Sequence, residues 1–374
     1  MVVVGGGVTG IFCAYYLARE GVSVTLIEKG ELGSGSVHAA GLIEPNTYYQ
    51  INNWRYVRDV FSFARRGVLR FRRVSQSWLL SYLSHFGERL QPDDTALLSQ
   101  MSDYSVSEYM KLGEEDPAWG YTQPGLLELY EEKRSFEQAL GSLKTKTGWR
   151  QVEMDGYAGG IVYDDVGVVV TEMFVKRMGE ELKRLNVEVV HAKAGRVGLD
   201  GRVETPGKMY VGEKTIVAAG VESRKLGVPI TPVGGVGYRL KPTGSGKRPK
   251  RPIIVYERSL AVVWAEEWVK VTVGLDFGFK PGTPSLEKLS PHIERFVGPA
   301  QLIDAKTGVR PCSPDGLPVV GAKDRLIVAT GGFRLGWSFA PAIARAAADL
   351  ALGKSKGHPR LSRYTGNLHS GVLG

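Results

Sequence analysis

Gly5-Gly6-Gly7-Val8-Thr9-Gly10 follows the apolar run Val2–Val4 and opens a stretch of helical spacing from Ile11 to Arg19. The spacing G-x-G-x-x-G does its chemistry through the backbone. Gly5 permits a tight turn, Gly7 lets the main chain approach a pyrophosphate, and Gly10 lets helix and strand pack closely. The helix N-terminus, with Val8 and Thr9 in its first turn, then faces the phosphates. Glu28 ends the next apolar segment, where an acid meets a ribose hydroxyl, and Lys29 follows it. A carboxylate there repels a 2′-phosphate, which disfavours NADP. The motif alone does not separate NAD from FAD. Just beyond it, "GSGSVHAAGLIEP" (33–45) sets His38, one of only six histidines, among small residues. No Ser-His-Asp or Cys-His set stands out, and the acid pair Asp164–Asp165 reads as a solvated turn. Cys13 and Cys312 are the only cysteines, and no Cys/His cluster has metal spacing, so no metal is expected.

These residues need a scaffold, and the segments around them supply one. The start reads as strand, turn, helix and strand, with Gly21 ending the helix. "MFVKRMGEELKRLNVEVVHA" (173–192) is an amphipathic helix running into a strand that carries Val189. "KTIVAAG" (214–220) is a short buried strand ending at Ala219 and Gly220. "DRLIVATGGFRLGWSFAPAIARAAADLALG" (324–353) is again strand, glycine turn and helix. A second glycine turn of this kind is not expected in a simple NAD enzyme. Between these units, residues 52–90 have a helical pattern, and alternation over 261–279 predicts an antiparallel sheet. The expected fold is α/β: a discontinuous Rossmann-like domain (1–75, 150–228 and 305–374) and an α+β substrate domain on an antiparallel sheet (76–149 and 229–304). A chain of 374 residues fits two domains.

The net charge is +9, with basic segments at 64–73 and 241–252. Such charge admits acidic small molecules, an anionic membrane surface or nucleic acid. Nucleic acid is disfavoured, because no aromatic platform interleaves the basic loop. The helical stretch 52–90 packs on the core or lies on a membrane surface. No apolar run is long enough to span a bilayer. With two cysteines and no secretory signal, the expected compartment is the cytoplasm, with the inner membrane face as the peripheral alternative.

Three segments together resemble the FAD-dependent amino-acid oxidoreductases, the family of glycine oxidase and D-amino-acid dehydrogenase. "HAAGLIEP" resembles that family's flavin-facing loop. "GVRPCSPDGLPVVGA" (308–322) resembles the dehydrogenases' G-x-R-P-x-[ST]-P-D-G-x-P. "TGGFRLGWSFAP" (330–341) resembles their T-G-H-G-x-L-G-W, with Gly332 in place of the histidine. The resemblance implies FAD as cofactor and oxidation of the C–N bond of a small amino acid, a D-amino acid or proline or hydroxyproline, to an imine. Hydride would pass to flavin N5 with no catalytic side chain required. It implies an electron acceptor such as a quinone or artificial dye, and leaves open additional subunits. The cofactor contacts it implies are Gly5, Gly7, Val8, Thr9, Gly10, Glu28, Lys29, Ser36, His38, Ala39, Ala40, Gly41, Leu42, Val189, Ala219, Gly220 and the turn Gly331, Gly332, Phe333, Arg334, Leu335, Gly336, Trp337 and Ser338. Arg310 would hold the substrate carboxylate bidentately, with Arg334, Tyr238 and Tyr256 as further substrate contacts. "HAAGL" also resembles the dimethylglycine and sarcosine dehydrogenases, in which this histidine bonds the flavin covalently. Covalent and noncovalent FAD therefore stay as alternatives. The same flavin chemistry on a C–O bond, in a 2-hydroxy acid or glycerol-phosphate dehydrogenase, is the second reading. A flavoprotein acting on modified tRNA is the third.

Overall fold

The structure is a computed structural model and describes residues 1–45, 47–143, 148–244, 248–265, 267–278 and 290–373. Its first sheet has six strands in the order Glu188–His191, Thr25–Glu28, Val2–Val4, Thr215–Val217, Leu326–Thr330 and Val319–Lys323. The first five run parallel, and Val319–Lys323 returns antiparallel along Leu326–Thr330. Parallel strands are covered on both faces, so they read as continuous apolar runs, as Val2–Val4 and Leu326–Thr330 do. Helices Val8–Arg19 and Gly336–Ala351 pack on this sheet in one core. Buried alanines at 340, 342, 344, 347 and 348 keep the second helix close.

Val2–Val4 lies between Thr25–Glu28 and Thr215–Val217, so the chain switches direction across the sheet there. Such a point opens a crevice at the carboxyl ends of the strands. Gly5 takes φ +103°, and a Cβ there would sit 2.6 Å from the Ala218 carbonyl oxygen. Only glycine turns the chain so close to its neighbour.

The second sheet has nine strands and faces that crevice. In order they are Ala300–Cys312, Thr231–Pro242, Val269–Phe277, Leu260–Trp264, Ile253–Val255, Leu126–Tyr130, Gly159–Tyr163 and Trp149–Val152, with Leu69–Phe71 beside Val269–Phe277. The alternation over 261–279 thus forms the antiparallel pair Leu260–Trp264 and Val269–Phe277 within the described residues. Two features differ from the sequence reading. The helical stretch 52–90 breaks into Trp54–Arg65, capped by the Asn53 side chain, and Gln76–Ser84. Between them Leu69–Phe71 pairs parallel with Leu275–Phe277, a contact no local pattern announces. Strand Gly159–Tyr163 and all of Trp149–Val152 but its first residue, assigned from sequence to the first domain, pair in the second sheet instead.

Candidate active site

The crevice is a cavity of about 650 Å³, within the size range of cofactor and ligand sites. Its floor is the set of strand ends expected at a switch point: Val4, Ile27 and Glu28, Ala218 and Ala219, Ala329 and Thr330. Its other wall comes from the second sheet, through Ile254, Leu260, Ala261, Thr272 and Leu275. The cavity therefore lies between the two sheets.

The glycine loop sits at one end. Glu28 holds it, accepting from Gly6 N at 2.6 Å and Gly30 N at 2.9 Å. Ser36 Oγ accepts from Val8 N at 3.1 Å in the first helical turn, and Trp337 Nε1 donates to Ser36 O at 3.1 Å. The 33–45 loop is thereby tied to both glycine turns. Gly5, Gly7, Val8, Thr9, Glu28, Lys29, Ser36, Ala39, Ala40, Gly41, Leu42, Ala219, Gly220, Gly332, Phe333, Arg334, Gly336 and Trp337 line the cavity.

Other expected contacts lie outside the lining. Gly10 supports the loop from behind, since a Cβ there would meet Gly5 O at 1.8 Å. Val189 packs on the core, and the cavity is instead reached by Ala192, Lys193 and Ala194, just past the strand end. Gly331 turns against Leu317 O, and Leu335 is buried in the core. Ser338 Oγ accepts from Glu44 N and donates to Leu42 O. His38 does not line the cavity. Its backbone oxygen lies against Gly237 in the second sheet, and burial with Lys306 nearby pushes its imidazole pKa down.

Arg310 and Arg334 meet in the cavity wall at the end facing the second sheet. Arg310 Nη1 donates to Gly274 O at 3.1 Å, and Arg334 lies over the Tyr49 ring at 4.5 Å. Burial and the neighbouring Arg334 charge push the Arg310 pKa down to about 10. Burial also opposes the Arg334 charge, but Tyr49 and Glu44 more than offset it and leave its pKa raised. Neither arginine makes an ion pair with a carboxylate among the described residues. Two adjacent cations so placed, open only to a cavity, form a site for an anion.

Neither of the two tyrosines expected beside them is in the cavity lining, although Tyr256 lies within electrostatic reach of Arg334. Tyr238 is buried in the core of the second sheet. Tyr256 packs against Tyr130 with the rings tilted by 31°, and its hydroxyl donates to Asp59. Alternation along Thr231–Pro242 does not tell which sheet face Tyr238 takes, and Tyr256 leaves the sheet in the short helical turn Tyr256–Arg258. Sequence reasoning passed over Glu44, although it quoted the loop that carries it. Glu44 lines the cavity near Arg334, and burial pushes its carboxyl up to about 7 against the pull of that arginine. The motif residue Asp315 is structural: it accepts from Arg360 at 2.8 Å and from Arg363.

Of the basic loop 241–252, residues 245–247 lie outside the described residues. Arg248 donates to Ala265 O and lies over Trp264, and Arg251 pairs with Asp164. These cations are engaged with the protein itself. Among the described residues no His, Cys, Asp or Glu cluster is arranged for a metal, and no helix is long and apolar enough to cross a membrane.

A family model described as FAD dependent oxidoreductase matches residues 1–350. The chain is 33% identical over 358 residues to a D-proline dehydrogenase of Pyrobaculum islandicum, covering 94% of this chain and 95% of that one. It is 24% identical over 389 residues to a D-amino acid dehydrogenase of Helicobacter pylori, covering 94% of each. Among solved structures, glycine oxidase from Bacillus cereus superposes with a TM-score of 0.70 at 19% identity over 96% of both chains. L-proline dehydrogenase from P. horikoshii gives 0.69 at 16% identity, over 97% of this chain and 96% of that one. The cavity fits the cofactor in the family's description: Gly5, Gly7 and Val8 line it at the start of helix Val8–Arg19, as suits a dinucleotide's pyrophosphate, and Gly332, Phe333, Arg334 and Gly336 line it at the second glycine turn.

Proposed function

The chain belongs to the family of FAD-dependent oxidoreductases, and on that premise we propose that it oxidises the C–N bond of a small amino acid to an imine, with D-proline the first candidate. The observation that carries this reading is the pair Arg310 and Arg334, unpaired with any described carboxylate, in the wall of a dinucleotide cavity. A substrate carboxylate completes that pair. It fixes the α-carbon at a set distance from the glycine turn, so orientation is achieved by binding. FAD, when bound, supplies the two-electron acceptor at N5. The amine lone pair closes the C=N bond as the α-hydrogen leaves with its electrons. Leu260, Ala261 and Leu275 give the cavity an apolar wall that suits a small aliphatic ring. Anaerobic bleaching of the flavin against D- and L-proline, other D- and L-amino acids, sarcosine and D-lactate tests the reading. Bleaching by D-lactate but by no amino acid replaces it with the 2-hydroxy acid reading.

The first sheet serves as the FAD-binding part and the second as the substrate part. FAD is held without a covalent bond, because His38 packs toward Gly237 rather than into the cavity wall. The electron acceptor is a quinone or dye-like molecule. An exposed surface supports attachment to an anionic bilayer. Trp54, Phe61, Phe71, Leu80 and Leu83 are each at least 60% exposed, and Arg55, Arg58, Arg65, Arg70, Arg72 and Arg73 are exposed around them. Trp54, Arg58, Phe61 and Arg65 share one helical face. Apolar side chains ringed by arginine suit an interface of acyl chains and anionic headgroups. Co-sedimentation with anionic but not neutral vesicles, lost in Phe61→Ser with Phe71→Ser, is the expected result. Equal recovery in the supernatant with both vesicles refutes it.

A further inference from the structure

Three carboxylates line the cavity among the described residues: Glu28, Glu222 and Glu44. Glu28 is occupied by Gly6 N and Gly30 N at the nucleotide end. Glu222 pairs with Lys225 at 2.7 Å, beside Arg224. Glu44 stands apart from these. Its backbone N is held by Ser338 Oγ at 3.0 Å, on the first turn of the C-terminal helix Gly336–Ala351. Its carboxyl lies toward Tyr49 and Arg334, at the end where Arg310 and Arg334 meet.

The α-amino acid reading, on which this inference rests, creates a charge problem at that end. An amino acid arrives as a zwitterion. Its carboxylate has two arginines. Its ammonium has neither a lone pair to form the C=N bond nor any opposite charge but Glu44. We propose that Glu44 takes the proton from the substrate ammonium, so that the nitrogen is neutral when the α-hydrogen leaves. In that step one N–H bond breaks and one O–H bond forms on Glu44, and the freed pair stays on nitrogen. The α-hydrogen then leaves with its two electrons to the flavin, and the nitrogen pair closes the imine bond. The proton on Glu44 returns to solvent once the product has left the cavity.

The surroundings of Glu44 suit a proton acceptor. The groups that face it are Arg334 from the turn Phe333–Leu335, Tyr49 from its own loop, Glu128 from Leu126–Tyr130 and Tyr163 from Gly159–Tyr163. Glu128 does not line the cavity, and its carboxylate accepts from Tyr130 at 2.6 Å and Tyr163 at 3.2 Å. Burial raises its basicity above that of an ordinary carboxylate, to about 7, while Arg334 pulls the other way and leaves a share of it ionised near neutral pH. A base with a pKa near the operating pH both holds the right protonation state and takes a proton readily.

The test compares FAD-loaded wild type with Glu44→Gln and Glu44→Asp. With D-proline, anaerobic flavin reduction at neutral pH should fall on the order of 100-fold in E44Q, within the usual range for a lost general base, and recover in part in E44D. The deficit should shrink as pH rises toward the amine's own pKa. With the D-form of thiazolidine-4-carboxylate, whose ring sulfur leaves the amine largely neutral, the loss should stay within about threefold. Binding without turnover gives a second readout, followed by perturbation of the flavin spectrum. Oxolane-2-carboxylate has a ring oxygen and no ammonium, and should bind E44Q at least as tightly as wild type. α-Methylproline keeps the ammonium but has no α-hydrogen, and should bind E44Q on the order of tenfold more weakly, as one charged contact predicts. Equal losses for both substrates, or for both ligands, overturn the assignment and leave Glu44 a structural residue. Undiminished bleaching of E44Q by D-proline overturns it alone. A wild-type flavin that no amino acid bleaches overturns the amino-acid reading, and this assignment with it.

Discussion

Replacing Arg310 by Met separates a substrate anchor from a structural arginine, because the two roles have opposite consequences for the empty protein. Met keeps the length and apolar stem and removes the charge. In the ligand-free state, burial and Arg334 push the Arg310 pKa from the ordinary arginine value down to about 10. Each pKa unit corresponds to about 1.4 kcal/mol, so keeping Arg310 charged costs the empty protein on the order of 3 kcal/mol. A depressed basic pKa means that the charged form is disfavoured by folding throughout the pH range below about 10. Relief of that cost offsets the lost hydrogen bond to Gly274 O. The R310M protein should therefore unfold at a temperature equal to or above that of wild type. With substrate the sign reverses. Losing one arm of a charge-assisted carboxylate contact costs roughly 2–4 kcal/mol, or about 30- to 1000-fold in kcat/KM, with FAD content unchanged. Stopped-flow flavin reduction and thermal unfolding read the two effects separately. A variant that melts several degrees lower and loses FAD refutes the anchor. So does a wild type that oxidises amines lacking a carboxylate as fast as amino acids.

Gly10→Ala should fold poorly around the loop and purify without flavin, since its Cβ would meet Gly5 O at 1.8 Å; a yellow variant with full FAD content contradicts the loop geometry. His38→Ala should keep its FAD, and acid precipitation of wild type should leave all flavin in the supernatant; fluorescence that stays with the denatured chain shows a covalent bond instead. Asp315→Asn should cost about 3–5 kcal/mol in urea unfolding, the usual cost of breaking a buried ion pair, because Arg360 and Arg363 lose their shared partner. Burial raises the Asp315 pKa, but Arg363 and Arg360 more than offset that and hold it below its ordinary value of 3.8. Its contribution is therefore present at neutral pH and lost as pH falls through the folded value, so the gap between D315N and wild type should close in acid. A gap that persists there means the pair is not its cause.

The two glycine turns were legible because each is a local device. Gly5 and Gly10 are dictated by contacts within a few residues or with the adjoining strand, and a spacing rule captures them. Strand Leu69–Phe71 was not legible. Its Arg-rich neighbours carry helical spacing, and only pairing with Leu275–Phe277, some 200 residues on, draws the segment out as a strand. The motif around Arg310 does not act residue by residue in one place. Arg310 reaches the cavity, whereas Asp315 in the same motif turns away to Arg360 and Arg363. Arg310 lies in strand Ala300–Cys312, whereas Asp315 follows in the turn beyond it, where strand alternation no longer sets the direction of a side chain.

Glu44 shows the deeper limit. In sequence it is one acid in a loop of small residues, with no partner at helical or strand spacing. Its chemistry comes from Arg334, nearly 300 residues away, and from the burial both share at the cavity wall. Ser338 links the two segments by accepting from Glu44 N and donating to Leu42 O, so the C-terminal glycine turn and the 33–45 loop are set as one piece. The same helix start therefore positions both the anion-binding cation and the carboxylate beside it. A zwitterion brings a carboxylate for the arginines and an ammonium for Glu44, whereas a 2-hydroxy acid brings only the carboxylate. The placing of Glu44 near Arg334 at one cavity end thus suits C–N oxidation better than C–O oxidation on charge alone.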